Sequence, residues 1–165
     1  MTPEQFQDYA RQGYNRIPLS KAVLADLDTP LSAYLKLADG AYSYLFESVH
    51  GGERWGRYSF MGLPCRSILK VHGERITLEN DGLIVEDLET ADPLAWIQQF
   101  AARYRVPHID SLPRFTGGLV GYFGYETIGY IEPKLKIGNK PDPLGVPDIL
   151  LMVSEELLVF DNLSG

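Results

Sequence analysis

The chain has 165 residues, a net charge of −7 and an isoelectric point near 4.9. Its hydrophobic fraction of 45% is typical of a folded globular protein and excludes a disordered chain. The acidic balance argues against a dominant nucleic-acid-binding surface, because neutralising phosphates needs clustered Lys and Arg. A single cysteine and no bilayer-long apolar stretch favour a reduced, cytoplasmic setting without a membrane partner.

Three predicted helices begin with the same chemistry, a side-chain oxygen followed by proline, at Thr2-Pro3, Thr29-Pro30 and Asp92-Pro93. The oxygen can cap free backbone NH groups, and proline suits the first helical position. Apolar residues at helical spacing follow each start. We expect the first helix to end near Gly13 and the second near Gly40.

Strand patterns fill much of the remaining chain, at 17–27, 42–49, 67–71, 75–79, 83–85, 148–153 and 157–160. Asn80-Asp81-Gly82 predicts a hairpin turn, and Ser154-Glu155-Glu156 is interpreted as a second. Hairpins require antiparallel neighbours. The pattern therefore predicts an α+β fold with largely antiparallel, sandwich-like sheets and three to four helices packed outside.

A glycine-rich strand at 115–126 carries glycines at 117, 118, 121 and 124 among aromatic and aliphatic residues. It lacks the Gly-Lys-Ser/Thr ending of a phosphate-binding loop. Glycine weakens a strand unless another group must approach its backbone closely. We therefore predict that another sheet, helix or aromatic ring lies against this strand.

Polar residues end the otherwise apolar strand at 42–48. Glu47 and Ser48 place a carboxylate and a hydroxyl next to each other on opposite faces of the strand, and the loop that follows carries Glu53, Arg54 and Arg57. Such groups can bind a small zwitterion, carboxylate to ammonium and guanidinium to carboxylate. The alternative is an ordinary strand end with a salt-bridged turn.

No catalytic residue is predicted. The sequence offers no histidine in an acid/base pair, no nucleophile with a base and no carboxylate cluster suited to Mg²⁺. Cys65, which follows Pro64 and precedes an apolar run, is interpreted as a small buried hydrophobe rather than a nucleophile. We therefore expect no cofactor or metal site within this chain.

Four segments, read together, resemble the N-terminal region of anthranilate synthase component I, of the chorismate-utilising enzyme family. They are residues 24–37, Leu45-Phe46-Glu47-Ser48, residues 56–62 and residues 115–126, in this order and spacing. The resemblance covers nearly the whole chain, and it depends on the combination rather than on any one segment.

The resemblance implies a parent enzyme that converts chorismate and ammonia into anthranilate and pyruvate, the first step of L-tryptophan synthesis. A glutamine amidotransferase subunit, component II, would supply the ammonia. Chorismate and Mg²⁺ would bind a C-terminal catalytic region that this chain lacks. We therefore expect residues 1–165 to be a fragment, one N-terminal regulatory and scaffold domain that is inactive alone.

The resemblance also implies half of a feedback-inhibition site for L-tryptophan. Glu47 and Ser48 would hold the polar end of the amino acid, Phe46 would line the apolar part, and Arg57 is a further candidate. Two alternatives stay open. One is the N-terminal domain of aminodeoxychorismate synthase component I, in the folate pathway, and the other is a free-standing amino-acid-binding module.

Overall fold

The computed structural model describes residues 1–50, 54–135 and 142–162, and of residues 48–50, 54, 55 and 133 the backbone alone. The helices are α1 (Pro3–Arg11), α2 (Pro30–Leu37), α3 (Pro93–Ala102) and α4 (Ile128–Ile131). The strands are β1 (Tyr44–His50), β2 (Arg54–Gly62), β3 (Ser67–His72), β4 (Arg75–Asn80), β5 (Leu83–Glu89), β6 (Gly118–Phe123), β7 (Ile149–Ser154) and β8 (Leu157–Asp161). The predicted α+β class is confirmed.

Helices α1, α2 and α3 begin where the capping chemistry predicts. Thr2 and Thr29 each form a capping box, in which the threonine hydroxyl accepts from a backbone NH three residues later. The side chain of Asp92 accepts from the backbone NH of Ala95 at 2.9 Å. In all three helices the proline stands at the first helical turn, where its missing NH costs no hydrogen bond.

The chain divides into two compact units, each made of several stretches of sequence. The first unit contains residues 1–65, 104–117 and 154–165, and the second contains residues 66–103 and 118–153. Each unit has a sheet of its own. Within the described residues, no helix is long and apolar enough to cross a membrane.

The second unit is built on a five-stranded sheet in the order β5-β4-β3-β7-β6. Strands β3, β4 and β5 form the predicted antiparallel meander. Asp81 and Gly82 have φ values of 49° and 78°, as a tight two-residue hairpin requires. Leu69, Val71 and Ile76 are fully buried, so the centre of this sheet forms the core of the unit.

The glycines of β6 admit the backbone of its neighbour. A Cβ on Gly121 would lie 1.9 Å from the carbonyl oxygen of Leu150, and one on Gly124 would lie 3.0 Å from that of Asp148. Both carbonyls lie in or next to β7. The predicted close approach is confirmed, and the approaching group is the adjacent strand.

The first unit is built on a three-stranded antiparallel sheet in the order β1-β2-β8, with β1 at one edge. Ala33 and Ala38, from α2 and its C-terminal end, pack with Met61 of β2. Leu45 and Phe160 flank this cluster. Among the side chains that the structure describes in this unit, the buried apolar ones are small apart from Met61 and Tyr44.

Two strand-level predictions are wrong. Residues 17–27 form no strand, because a strand needs a partner for its backbone groups and none pairs with this segment in the described part of the chain. The segment Ser154-Glu155-Glu156 is no hairpin, because β7 pairs with β3 and β8 pairs with β2. No residue at that connection has the positive φ that a tight hairpin needs.

Candidate functional site

The candidate site lies where β1 reaches a bulge. Phe46 is opposite Phe60 and Glu47 is opposite Ser59, but the next aligned pair is Val49 with Trp55. Residues 56–58 of β2 therefore lie opposite the single residue 48 of β1. Bulges bend a strand, increase its twist and redirect side chains, and they are over-represented next to active sites.

The two faces of β1 differ in character. Leu45 packs with the cluster around Met61 on the face that α2 covers. Tyr44 and Phe46 lie on the other face, with ring centroids 4.9 Å apart. Since side chains alternate along a strand, Glu47 shares the face of Leu45 and lies opposite to Phe46. One ligand can therefore reach both Phe46 and Glu47 only along the open edge of β1.

Glu47 is exposed and has no hydrogen bond or ion pair among the described residues. Ser59, the residue opposite Glu47 on β2, is buried, so the backbone of Glu47 is paired with a buried position of the sheet. An exposed carboxylate without a protein partner can accept an ammonium group. Of the other predicted polar residues, Glu53 lies outside the described residues, and the side chains of Ser48 and Arg54 are not described.

Arg57 pairs with β8 rather than with β1. Its Nε lies 3.3 Å from both carboxylate oxygens of Asp161, and its Nη2 lies 3.0 Å from Oδ2. The hydrogen bond to Asp161, followed by the charge of Asp161, raises the pKa of Arg57. The guanidinium also lies 4.9 Å from the ring centroid of Tyr58. Arg57 is thus held in place at the bulge by an ion pair that the sequence did not predict.

Two polar residues that support the bulge carried no prediction, Ser59 and Asn162. The Asn162 side-chain amide donates to the Ser59 hydroxyl at 3.2 Å and to the carbonyl of Gly56 at 3.1 Å. The backbone NH of Asn162 donates to the carbonyl of Arg57 at 2.7 Å. The position of Ser59 between two aromatic residues was the one indication in the sequence that a polar group supports the bulge. Its partner lies 103 positions away and could not be found by spacing.

Tyr44 anchors the start of β1. Its hydroxyl lies 2.8 Å from the hydroxyl of Ser154 in a buried pair. Burial raises the pKa of Tyr44. The ring lies directly on Gly62, where an added Cβ would be 2.0 Å from a ring carbon. Gly62 is therefore required for Tyr44, which in turn supports the ring of Phe46.

Phe46 belongs to a partly exposed aromatic face of the sheet. It lies opposite Phe60, whose ring centroid is 5.5 Å from that of Phe115 in an edge-to-face pair. Tyr58 lies 6.1 Å from Phe60. Phe46 itself is 53% exposed. Rings with exposed faces and edges can stack against an aromatic ligand.

A separate cavity of 260 Å³ in the first unit does not involve these residues. Its lining includes Pro18, His108 and Arg114. His108 pairs with the exposed Asp110 at 3.1 Å. Among the residues that the structure describes, no three His, Cys, Asp or Glu side chains are placed to hold a metal ion.

The chain is similar along its whole length to proteins named anthranilate synthase component 1. It is 58% identical to the proteins of that name from Pseudomonas aeruginosa and Neisseria meningitidis, and it covers 34% of the length of each. It is 44% identical over 96% of its length to that of Acinetobacter calcoaceticus, of which it covers 33%. The predicted resemblance is confirmed. The chain matches the N-terminal third of these relatives and spans about a third of their length.

A solved structure titled as anthranilate synthase component I from Streptococcus pneumoniae TIGR4 is 26% identical. The match covers 87% of this chain and 29% of that chain, with a TM-score of 0.47. No protein-family model matches the chain. The match to the Pseudomonas protein extends over the full chain, so the candidate site residues lie within the matched range.

Proposed function

We propose that this chain is the N-terminal regulatory and scaffold part of an anthranilate synthase component I. The observation that carries the proposal is the 58% identity over the full chain to relatives of that name. The complete protein would convert chorismate and ammonia into anthranilate and pyruvate. Component II, a glutamine amidotransferase, would deliver the ammonia.

The catalytic chemistry is assigned to the rest of the protein. The chain covers about a third of the length of its relatives. As the resemblance implies, Mg²⁺ and chorismate would bind the remaining two thirds. The contribution of residues 1–165 would be to regulate that part and to support it.

The regulatory site would hold L-tryptophan along the open edge of β1. The exposed carboxylate of Glu47 would pair with the ammonium of the ligand, and Ser48 would add a hydroxyl at the bulge. The indole would lie against the ring of Phe46. Arg57 donates to Asp161 through Nε and Nη2, so its Nη1 is available for the ligand carboxylate.

This geometry supports half a site rather than a closed one. Phe46 is half exposed, Glu47 is exposed, and the two lie on opposite faces of an edge strand. The remaining contacts would come from the other two thirds of the protein. Tryptophan that bridges both parts would favour a conformation in which the catalytic part binds chorismate poorly, which is a shift of population.

Substitution of Glu47 in the complete enzyme tests the assignment. We expect Glu47→Gln to raise the inhibition constant of L-tryptophan by about tenfold or more, because a charge-assisted hydrogen bond is lost. The matched control is Glu156→Gln, another exposed glutamate of the first unit. Unchanged inhibition would contradict the assignment, and a large fall in uninhibited turnover would indicate a catalytic or folding role instead.

The reaction itself is tested by identifying the product formed from chorismate and ammonium ions. Anthranilate is expected. Formation of aminodeoxychorismate would show that the protein serves the other branch of the family, in which case the tryptophan site would not be an inhibitor site.

A further inference from the structure

Residues 17–27, called here the docking segment, expose an unusual amount of apolar surface. Leu19 is 72% exposed, Val23 71%, Leu24 83% and Leu27 99%. Single exposed leucines are ordinary, but a contiguous group of them marks a surface that another protein region covers.

The docking segment is held at both ends. On its N-terminal side, the backbone NH of Arg16 donates to the carbonyl of Arg105 at 3.2 Å, and its guanidinium pairs with Glu155 at 2.9 Å. On its C-terminal side, Asp28 accepts from the Ser32 hydroxyl at 2.8 Å, and Thr29 caps α2. The exposed leucines therefore lie on a segment of defined position rather than on a free terminus.

The backbone of the docking segment is almost entirely unpaired. Within the described parts of the chain, its one backbone hydrogen bond runs from the NH of Asp28 to the carbonyl of Ala25. Unpaired NH and CO groups cost free energy when they are buried, so apolar contact with a partner must be accompanied by new hydrogen bonds. A strand added to a sheet edge supplies both.

The sequence of the docking segment suits such a strand. In an extended conformation Leu19 and Val23 would share one face, while Ser20 and the exposed Leu24 would lie on the other. The turn that Asp28 closes onto Ala25 would end the strand before Leu27. Each of these residues has the negative φ of ordinary extended or helical backbone. The composition of the segment is therefore suited to a strand, and what it lacks, among the described residues, is a neighbouring strand with which to pair.

The exposed apolar surface continues onto the first turns of α2. Leu31 is 53% exposed and Leu35 71%, and residues four apart are neighbours on a helix surface. Ala33, between them in sequence, is buried on the other side of the helix. The exposed apolar surface therefore consists of the docking segment, which could form a strand, and the row of Leu31 and Leu35 on α2.

We propose that the docking segment adds as a strand to a sheet edge in the remaining two thirds of the same protein. The proposal rests on the proposed function in one respect, that the protein continues as its relatives do. Those relatives are 58% identical over the whole chain, which contains this segment, and the matched stretch is 34% of their length. Leu31 and Leu35 would pack against the same region.

Hydrogen exchange tests the proposal without any ligand. Amides 19–27 are compared in the complete protein and in the 165-residue chain. We expect every second amide within 19–25 to exchange at least about tenfold more slowly in the complete protein, because only alternate NH groups of an added edge strand point toward the sheet. Equal exchange in both proteins would overturn the proposal. Protection in the 165-residue chain that rises with its concentration would assign the segment to a second copy, and would also overturn it.

A matched pair of variants identifies the face that docks. Val23→Asp is expected to restore fast exchange of the protected amides within 19–25 in the complete protein, whereas Ser20→Asp on the other face keeps them protected. An equal effect of both variants would contradict the strand geometry. Because no tryptophan is present, loss of the proposed inhibitor site would leave this result unchanged, so the two proposals can fail separately.

Discussion

The two units of the molecule differ in the size of the side chains that form their cores. In the second unit, Leu69, Val71, Ile76 and Ile149 are fully buried at the centre of a five-stranded sheet. In the first unit, the sheet has three strands and its core depends on Met61 and small residues of α2. The candidate site belongs to the first unit.

The second unit differs from the first in the size of its core rather than in a lack of exposed apolar surface. It buries long aliphatic side chains at the centre of its sheet, although Leu83, Ile84 and Val85 of β5 are each more than half exposed. The first unit has an open edge at β1, a half-exposed aromatic face and an exposed docking segment. A surface of this kind suits regulation, because a ligand or a protein region that completes it changes its stability.

The largest expected effect contrasts one substitution at two positions. Leu69→Ala should lower the free energy of unfolding of the 165-residue chain by about 2–5 kcal/mol, because Leu69 is fully buried. Leu27→Ala should change it by less than about 0.5 kcal/mol, because Leu27 is 99% exposed. Urea denaturation measures both. A comparable loss at Leu27 would mean that the docking segment is already covered within the chain.

A smaller effect is expected where β2 meets Tyr44. Gly62→Ala should cost roughly 1–3 kcal/mol, because the new methyl would overlap the Tyr44 ring. In a Tyr44→Ala background the same change should cost less, since the ring is gone. A double-mutant cycle measured by thermal unfolding gives the coupling. Additive effects would show that the two residues do not constrain each other.

Alkaline pH should weaken the second unit through Tyr130. Its hydroxyl donates to the carbonyl of Gly73 at 2.7 Å, and burial followed by the charge of Asp148 raises the pKa of Tyr130 to about 12. A tyrosine ionises more easily in the unfolded chain, near pH 10, so the stabilisation is complete below that pH. It is lost as the pH rises from 10 to about 12.

Tyr130→Phe should remove that part of the pH dependence. The control is Tyr125→Phe, since Tyr125 is 89% exposed. Stability of each variant is followed against pH by circular dichroism. An unchanged slope in Tyr130→Phe would exclude Tyr130 as the titrating group.

The smallest effect is expected at the candidate site itself. Glu47→Gln should alter the free energy of unfolding by less than about 0.5 kcal/mol, because Glu47 is exposed and unpaired within the described residues. Chemical denaturation checks this. A larger loss would give Glu47 a structural role and favour the ordinary strand end over a ligand site.

Local chemistry made part of the fold predictable from sequence. Thr29-Pro30 located the start of α2, and Asp81-Gly82 located the turn of the β4–β5 hairpin, because each is decided within four residues. The pairing of β8 with β2 was not predictable. It depends on contacts about a hundred residues apart, such as that between Arg57 and Asp161.

The same distinction applies to the candidate site. The sequence identified Glu47 and Arg57 from their charges, but the bulge between them and the hydrogen bonds of the Asn162 amide emerged only in the structure. The strand predicted at 17–27 failed for a related reason. Its side-chain pattern suits a strand, but the backbone of a strand also needs a neighbouring strand to bond with. The side-chain pattern does not show whether such a neighbour is present.

Titration of L-tryptophan into both the 165-residue chain and the complete protein tests the central claim most directly. If the edge of β1 is one side of a shared site, calorimetry should detect binding to the complete protein and little or none to the chain alone. A dissociation constant of about micromolar order for the chain alone would contradict a half-site. Absence of binding to both would contradict the tryptophan site altogether.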